Sequence, residues 1–135
     1  PAAAPAEPVL VDCVIGNCFV LRTSALDKIG LLDEKFFAYY EEADWCRRAQ
    51  QAEYACAIVP SAIITHAKAG SWRTYLITRN MIWFQKRYAN LAQLIFFWWY
   101  FWFYFIIERW RKGSTLSDLL RAARDGWLNR NSGKP

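Results

Sequence analysis

The chain has no C-x-x-C pair, no glycine-rich phosphate loop, no internal repeat and a single histidine, and each gap closes off a class of protein. Its four cysteines, Cys13, Cys18, Cys46 and Cys56, lack both a metal-type pairing and the density of a secreted disulfide scaffold. They read as mainly buried thiols of a cytosolic domain. Without a loop of glycines there is no ready cradle for a nucleotide's phosphates. Neither a charged n-region nor a signal-type apolar stretch opens the sequence. "PAAAPAEP", residues 1–8, has linker character instead, and the sequence reads as the back end of something longer.

At 135 residues the chain suits one domain with a real core, but its apolar and aromatic residues are unevenly spread. A net charge of +5, with most of the excess base after residue 70, fits an anionic partner such as a phosphorylated ligand, a nucleic acid or a lipid surface. The basic residues cluster beside a hydrophobic run and not on a separate polar face, which argues against nucleic acid.

"VLVDCVIGNCFVLR" predicts two short strands, 9–15 and 18–21, separated by a turn or bulge at Gly16-Asn17. "TSALDKIG" predicts a short helix capped by Thr23 or Ser24 and stopped at Gly30. "LLDEKFFAYY" has no clear period and should be a loop or broken extended segment. A second helix is expected from about Glu42 to Ala52, then β-rich runs "YACAIVP" and "SAIITHA" broken by Pro60. From Ser71 the pattern turns helical, and a last amphipathic helix is expected over roughly Thr115 to Leu128 with Ser114 or Thr115 as cap.

Between them lies "LIFFWWYFWFYFII", residues 94–107, which has no charge and includes ten consecutive aromatics at 96–105. A helix apolar all round is buried in protein or in lipid. Fourteen residues make roughly 21 Å of helix against a hydrocarbon core of about 30 Å, short for a crossing. Basic residues flank both ends, Lys86 and Arg87 before, Arg109, Arg111 and Lys112 after. That pattern, with tryptophan and tyrosine at headgroup level, favours a segment lying in one leaflet over a true span or a protein-buried helix.

The stretch "FFAYYEEADWCRR", residues 36–48, sets three carboxylates behind four aromatic rings. Carboxylates in a first helical turn are favoured by its unpaired N–H groups. Asp44 also has Arg47 and Arg48 at i+3 and i+4, so it reads about equally as an ion-paired structural residue or a functional one. Glu41 and Glu42 have only Trp45 and Cys46 at i+4, and an apolar wall beside them would raise a carboxyl pKa, a usual condition for a general base. His66, the lone histidine, sits at the end of a predicted strand before a small-residue turn, where α/β proteins gather their sites. A lone histidine is nevertheless more often a satisfied polar residue than a metal ligand.

In order along the chain come a glycine-led strand, "IGLLDEKFF", the acidic pair with "ADWCRR", a "VPSA" turn, a strand ending in histidine, and "RN". Over about residues 9–90 this succession resembles the C-terminal part of the catalytic domain of family 2 glycosyltransferases of the GT-A fold, in particular bacterial rhamnosyltransferase-like and galactofuranosyltransferase-like enzymes. The resemblance implies inverting transfer from a nucleotide-diphosphate sugar, of the dTDP-rhamnose or UDP-sugar type, to a glycan or lipid-linked acceptor. It maps the base onto Glu42 and a ligand of a divalent metal, Mg or Mn, onto His66. It also implies substrate contacts from Gly16, Asn17, Phe37, Tyr40 and Trp45.

Three departures from the family pattern stand out. The pair is Glu-Glu and not Glu-Asp, so Glu41, Glu42 and Asp44 all remain candidates for the base. "AEY" replaces a glycine usual before the tyrosine, and no D-x-D occurs. The donor diphosphate and its metal thus have no binding motif in the chain. The expected architecture is therefore α/β: a linker over 1–8, the acceptor-side portion of a GT-A, Rossmann-like domain over 9–90, and hydrophobic and amphipathic helices over 91–135 that associate with a membrane. Such a chain should be inactive alone, bind no metal tightly, and belong at the cytoplasmic face of the inner membrane, peripheral or monotopic. The competing reading is a small non-enzymatic basic membrane protein whose acidic helix docks a partner.

Overall fold

A computed structural model describes residues 7–66 and 74–130. The expected linker up to residue 6, the "AKAG" turn and the helix start at Ser71 lie outside the described residues. The chain divides into two compact units, Pro1–Phe37 with Glu41–Gly70, and Ala38–Tyr40 with Ser71–Pro135.

In the first unit the described strands are β1 (Val9–Val11) and β2 (Cys56–Ile58), antiparallel, with Val9 opposite Ile58, Leu10 opposite Ala57 and Val11 opposite Cys56. The described part is therefore mixed helical with one small two-stranded sheet. The predicted turn at Gly16-Asn17 is present, but 18–21 and 61–66 form no strand. Apolar, β-branched sequence is not sufficient for a strand, because its backbone groups need a neighbouring edge to pair with.

Two helices complete the unit: α1 (Thr23–Ile29) and α2 (Glu41–Gln51). The cap of α1 is Arg22, which enters in extended conformation without a side-chain cap bond, so neither Thr23 nor Ser24 serves. Gly30 ends the helix at φ 88°, a value that glycine tolerates without strain. Ala25, Trp45 and Ala49 form the core, with Leu21, Leu26 and Tyr54 against it. Two side chains of α2 hold the C-terminal end of α1. Trp45 donates its indole N–H to the Gly30 carbonyl at 2.9 Å. Arg48 donates to the carbonyls of Ile29 and Leu31, both at 2.8 Å, and to Asp44 at 2.9 Å.

The second unit is helical: α3 (Thr74–Tyr88), α4 (Leu91–Tyr100), a π-helical turn over Phe101–Phe105, α5 (Ile106–Arg111) and α6 (Leu116–Trp127). The middle three form one helix, Leu91–Arg111, of 21 residues. It is longer than the apolar run because Asn90 and Gln93 make a reciprocal capping box, each side chain accepting from the other's backbone N–H at 2.9 Å. At its far end Gly113, at φ 88°, donates to Trp110 and Ser114 donates to Arg109, the bonding of a Schellman stop. Four residues overshoot one α-turn by about 40°, and the wider π turn takes up that drift. Phe97, Phe101 and Phe105 consequently share one buried face with Ile106. That face meets Ile77, Met81 and Ile82 of α3 and Leu119 and Ala123 of α6 in a single core.

Buried polar groups in this unit are tied into a network. Arg79 donates to Asn80 at 2.9 Å and lies over the Trp83 ring at 4.2 Å, while Tyr75 donates its hydroxyl to Asp125 at 2.8 Å. Asn80 gives both amide hydrogens to the segment before α2, to the Ala38 and Tyr39 carbonyls at 2.8 Å each. Tyr39 and Tyr40 there hold φ of 66° and 74°, left-handed values that cost energy for residues of their size.

Gly126 explains how α3 and α6 come so close, since a Cβ on it would lie 2.9 Å from the Arg79 carbonyl oxygen and 3.0 Å from the Ile82 Cβ. Its absence of a side chain outweighs the poor helix propensity of glycine. Gly126→Ala should therefore destabilise the chain by about 1 to 3 kcal/mol, the cost of overpacking, even though alanine is the better helix former by about 1 kcal/mol. A urea midpoint that rises on the substitution contradicts this packing.

Candidate active site

The acidic cluster divides along the first turn of α2. Asp44 is fully buried, and its carboxylate is engaged by Arg48, which in turn grips the end of α1. The other arginine, Arg47, contacts Gln50 at 3.4 Å and remains exposed. Asp44 thus has the ion-paired environment that its i+4 spacing predicted.

Glu41 and Glu42 are half-buried, and each has one carboxylate oxygen out of solvent with no hydrogen-bond partner among the described residues. Glu42 rests against the turn after β1. A Cβ built on Gly16 would come 3.2 Å from its Cδ and 3.3 Å from its Oε1, so only glycine lets the carboxylate sit there undisturbed. Burial pushes the Glu41 carboxyl up, its own backbone N–H pulls the other way, and the charge and hydrogen bond of Glu42 raise it further.

Next to the pair lie thiols. Burial pushes Cys13 up to about 12, with Cys46, Glu42 and Cys56 adding to it, and burial with Cys46 pushes Cys56 up to about 11. Cys46 thus interacts with both Cys13 and Cys56, and Glu42 with Cys13, and all four cysteines are free thiols. The expectation of mainly buried thiols holds for Cys46, whereas Cys13 and Cys18 are exposed. The thiol neighbourhood had one legible sign, Cys46 one turn after Glu42. The contributions of Cys13 and Cys56 depend on the pairing of β1 with β2.

Of the residues expected at a substrate, Asn17 and Trp45 line an open groove of about 790 Å³ in the first unit, together with Cys46, Cys56, Val20 and Ile58. Trp45 is also a core residue, 6% exposed, so its ring is largely committed to packing. Phe37 is 60% exposed at φ 64°, whereas Phe36 is buried. Tyr40 belongs to the second unit and packs on Phe84 with centroids 5.5 Å apart. His66 is exposed, and the strand expected to end at it is not formed. Among the described residues no group of three His, Cys, Asp or Glu side chains is arranged to hold a metal ion.

No protein-family model matches the chain, and no solved structure does. Curated proteins do match. Over 89 residues, 66% of this chain and 29% of the relative, it is 32% identical to an N-acetylglucosaminyl-diphospho-decaprenol L-rhamnosyltransferase of Mycobacterium tuberculosis. Over 77 residues, 52% of this chain and 25% of the relative, it is 34% identical to the low-salt glycan biosynthesis hexosyltransferase Agl10 of Haloferax volcanii. The chain thus spans under a third of the length of the curated relatives it matches.

The raised Glu41 pKa has a measurable consequence. The folded protein holds this proton more tightly than the unfolded chain, so the associated stability is complete below about 4.5 and is lost as pH rises through the folded value. Glu41→Gln should raise the urea midpoint at pH 7 and leave it nearly unchanged at pH 4. A gain equal at both pH values would mean that the carboxyl does not titrate abnormally. By these relatives the chain is a glycosyltransferase-like protein, similar to rhamnosyl- and hexosyltransferases of glycan biosynthesis.

Proposed function

We propose that the chain is the acceptor-side, C-terminal part of a longer inverting glycosyltransferase of GT-A type. It takes part in moving a sugar from a nucleotide-diphosphate donor to a hydroxyl of a cell-surface polysaccharide or lipid-linked glycan. One observation carries this reading: the Glu42 carboxylate, seated on Gly16 with a buried oxygen that has no partner among the described residues, beside a Glu41 whose affinity for a proton is raised. A carboxylate so placed accepts a proton within hydrogen-bond reach. As the acceptor oxygen bonds to the anomeric carbon, its proton passes to Glu42, and the bond to the nucleotide diphosphate breaks on the opposite face. Glu41, its carboxyl pushed above the usual carboxylate range chiefly by burial, flanks the base. Asp44, occupied by Arg48, takes the structural role.

The relatives' names support the acceptor class, since one of them acts on a decaprenol-linked diphosphate. The residues described do not by themselves fit a divalent metal. His66 would supply one ligand of a Mg or Mn ion, with the others coming from the longer protein, and no catalytic step here runs through it. When bound, such an ion offsets charge on a departing diphosphate.

We further propose attachment at a membrane surface, on the cytoplasmic face; the long aromatic helix of the second unit supports the attachment. By length and composition the helix Leu91–Arg111 is able to cross a bilayer, its 21 residues giving about 31 Å against a core of about 30 Å. The shortness inferred from the 14-residue run therefore does not decide the matter; packing does. One side of this helix shares a core with α3 and α6, and α6 exposes Asp118, Arg121 and Arg124. A crossing would carry those charges into hydrocarbon at about 2.5 to 3.5 kcal/mol each for Arg and Asp near the centre. Its other side exposes Phe96, Trp99, Phe103, Ile107 and Trp110, suited to lying at headgroup depth.

Two measurements test these readings. Fused behind the donor-binding region of the mycobacterial relative, the chain should support sugar transfer that Glu42→Gln reduces at least about a hundredfold with donor binding retained. An unchanged rate moves the base to Glu41. A fusion without transfer favours a non-enzymatic membrane protein, while turnover by the chain alone overturns the partial-enzyme reading. Separately, the chain should sediment with anionic vesicles, and removal of residues 91–112 should abolish this. Vesicle binding that survives the removal excludes the long helix as the anchor.

A further inference from the structure

The second unit has a groove that the transfer chemistry leaves unused. Trp98, Trp102, Leu120, Ala123, Arg124 and Trp127 line a shallow, open groove of about 470 Å³ between the long helix and α6. Its walls are flat indoles: Trp98 and Trp102 stack at 6.4 Å and 22°, and Trp127 meets Trp98 edge-on at 5.7 Å. Leu120 and Trp127 are both exposed there, so the apolar lining is open to a ligand.

Cations stand beside these walls. Lys86 sits 4.9 Å from the Trp127 ring centroid and donates to the Trp127 carbonyl, which keeps its ammonium at that edge. The Arg124 side chain is 61% exposed and reaches Asp125 at 3.3 Å, a loose contact, since the Asp125 carboxylate is fully buried and also accepts from Tyr75 at 2.8 Å. None of the six lining residues is acidic. An apolar slot with positive charge beside it suits an amphiphile with a narrow hydrocarbon tail and a phosphate head. Flat indole walls favour unsaturated, methyl-branched isoprene units, whose planar double bonds lie against the rings, over the paired acyl chains of a phospholipid.

We propose that this groove seats the phosphate-proximal isoprene units of a polyprenyl-phosphate-linked acceptor, with Lys86 and Arg124 facing its phosphate. The proposal rests on the acceptor-side glycosyltransferase reading and adds to it a binding site for the lipid carrier.

The test uses the 135-residue chain in dodecyl maltoside. Its tryptophan fluorescence is titrated with farnesyl phosphate, and with farnesol and dodecyl phosphate as controls. Farnesyl phosphate should bind at least about tenfold more tightly than either control, since each lacks one of the two recognised features. Leu120→Glu should abolish binding. Lys86→Gln and Arg124→Gln should each weaken farnesyl phosphate several-fold without affecting farnesol. Ser117→Ala, exposed on α6 but outside the groove, should leave binding unchanged, and circular dichroism should show all four variants as helical as the parent.

Equal binding of dodecyl phosphate, loss of binding in Ser117→Ala, retained binding in Leu120→Glu, or no binding of farnesyl phosphate each overturns the site. In the fusion enzyme, an unchanged KM for a lipid-linked acceptor in Leu120→Glu also rejects the groove and leaves the catalytic reading standing. Farnesyl phosphate bound as expected, with the Glu42→Gln fusion fully active, rejects the assignment of the base and leaves the groove standing.

Discussion

Much of the first unit turns on what Arg48 does with its guanidinium. It spends its donors on Asp44 and on two carbonyls at the end of α1, so the pairing of α1 with α2 and the burial of one carboxylate are a single event. Removing one partner of a buried pair leaves the other charge uncompensated, which is why such a contact fixes an orientation even where its net contribution to stability is small. With Asp44 held on the α1 side, Glu41 and Glu42 are left at the start of the helix without an arginine of their own. The Gly16 turn then supplies a surface on which the Glu42 carboxylate rests. The difference between the three acids is therefore set by packing, since all three lie within one turn and share the same helix-end field.

This division was partly legible in the residues. Spacing alone pairs Asp44 with Arg48 at i+4 and leaves the two glutamates unpaired, and both features are found. The helices α1, α2 and α6 lie within a residue or so of their predicted bounds, because caps and glycine stops act locally. Long-range pairing was not legible. The stretch 18–21 has strand composition yet no strand partner among the described residues, and the thiols of Cys13 and Cys56 meet Cys46 only through the fold. The left-handed Tyr39 and Tyr40 carry no sequence signal either, since their conformation is held by Asn80 from forty residues away.

The aromatic run shows how composition and packing divide the labour in a helix. Ten aromatics in succession leave no polar face, so the sequence cannot say which side is turned inward. The choice is made by the partners: Phe97, Phe101 and Phe105 face Ile82 and Leu119, and the π turn keeps them aligned over two turns. What remains outward is an aromatic surface on a helix whose inner side is already occupied. Such a helix gains by burying its outer side in an interface and would have to give up its core, or carry α6 with it, to cross one.

The same logic of unsatisfied surface applies to the first unit. Leu10, Ile15, Val20, Ile58, Val59 and Ile63 are all exposed around a sheet of two three-residue strands, less sheet than a domain of this apolar content needs to stand by itself. Strand-forming sequence beside an open edge fits a sheet continued by further strands, which is what the proposed longer enzyme would supply. A donor-binding half packed there would cover the apolar residues and lower the local dielectric around Glu41 and Glu42. Burial already raises the Glu41 carboxyl, and excluding more water would raise it further. On the proposed reading, completing the sheet and drying the surroundings of the two glutamates are thus two results of the same burial.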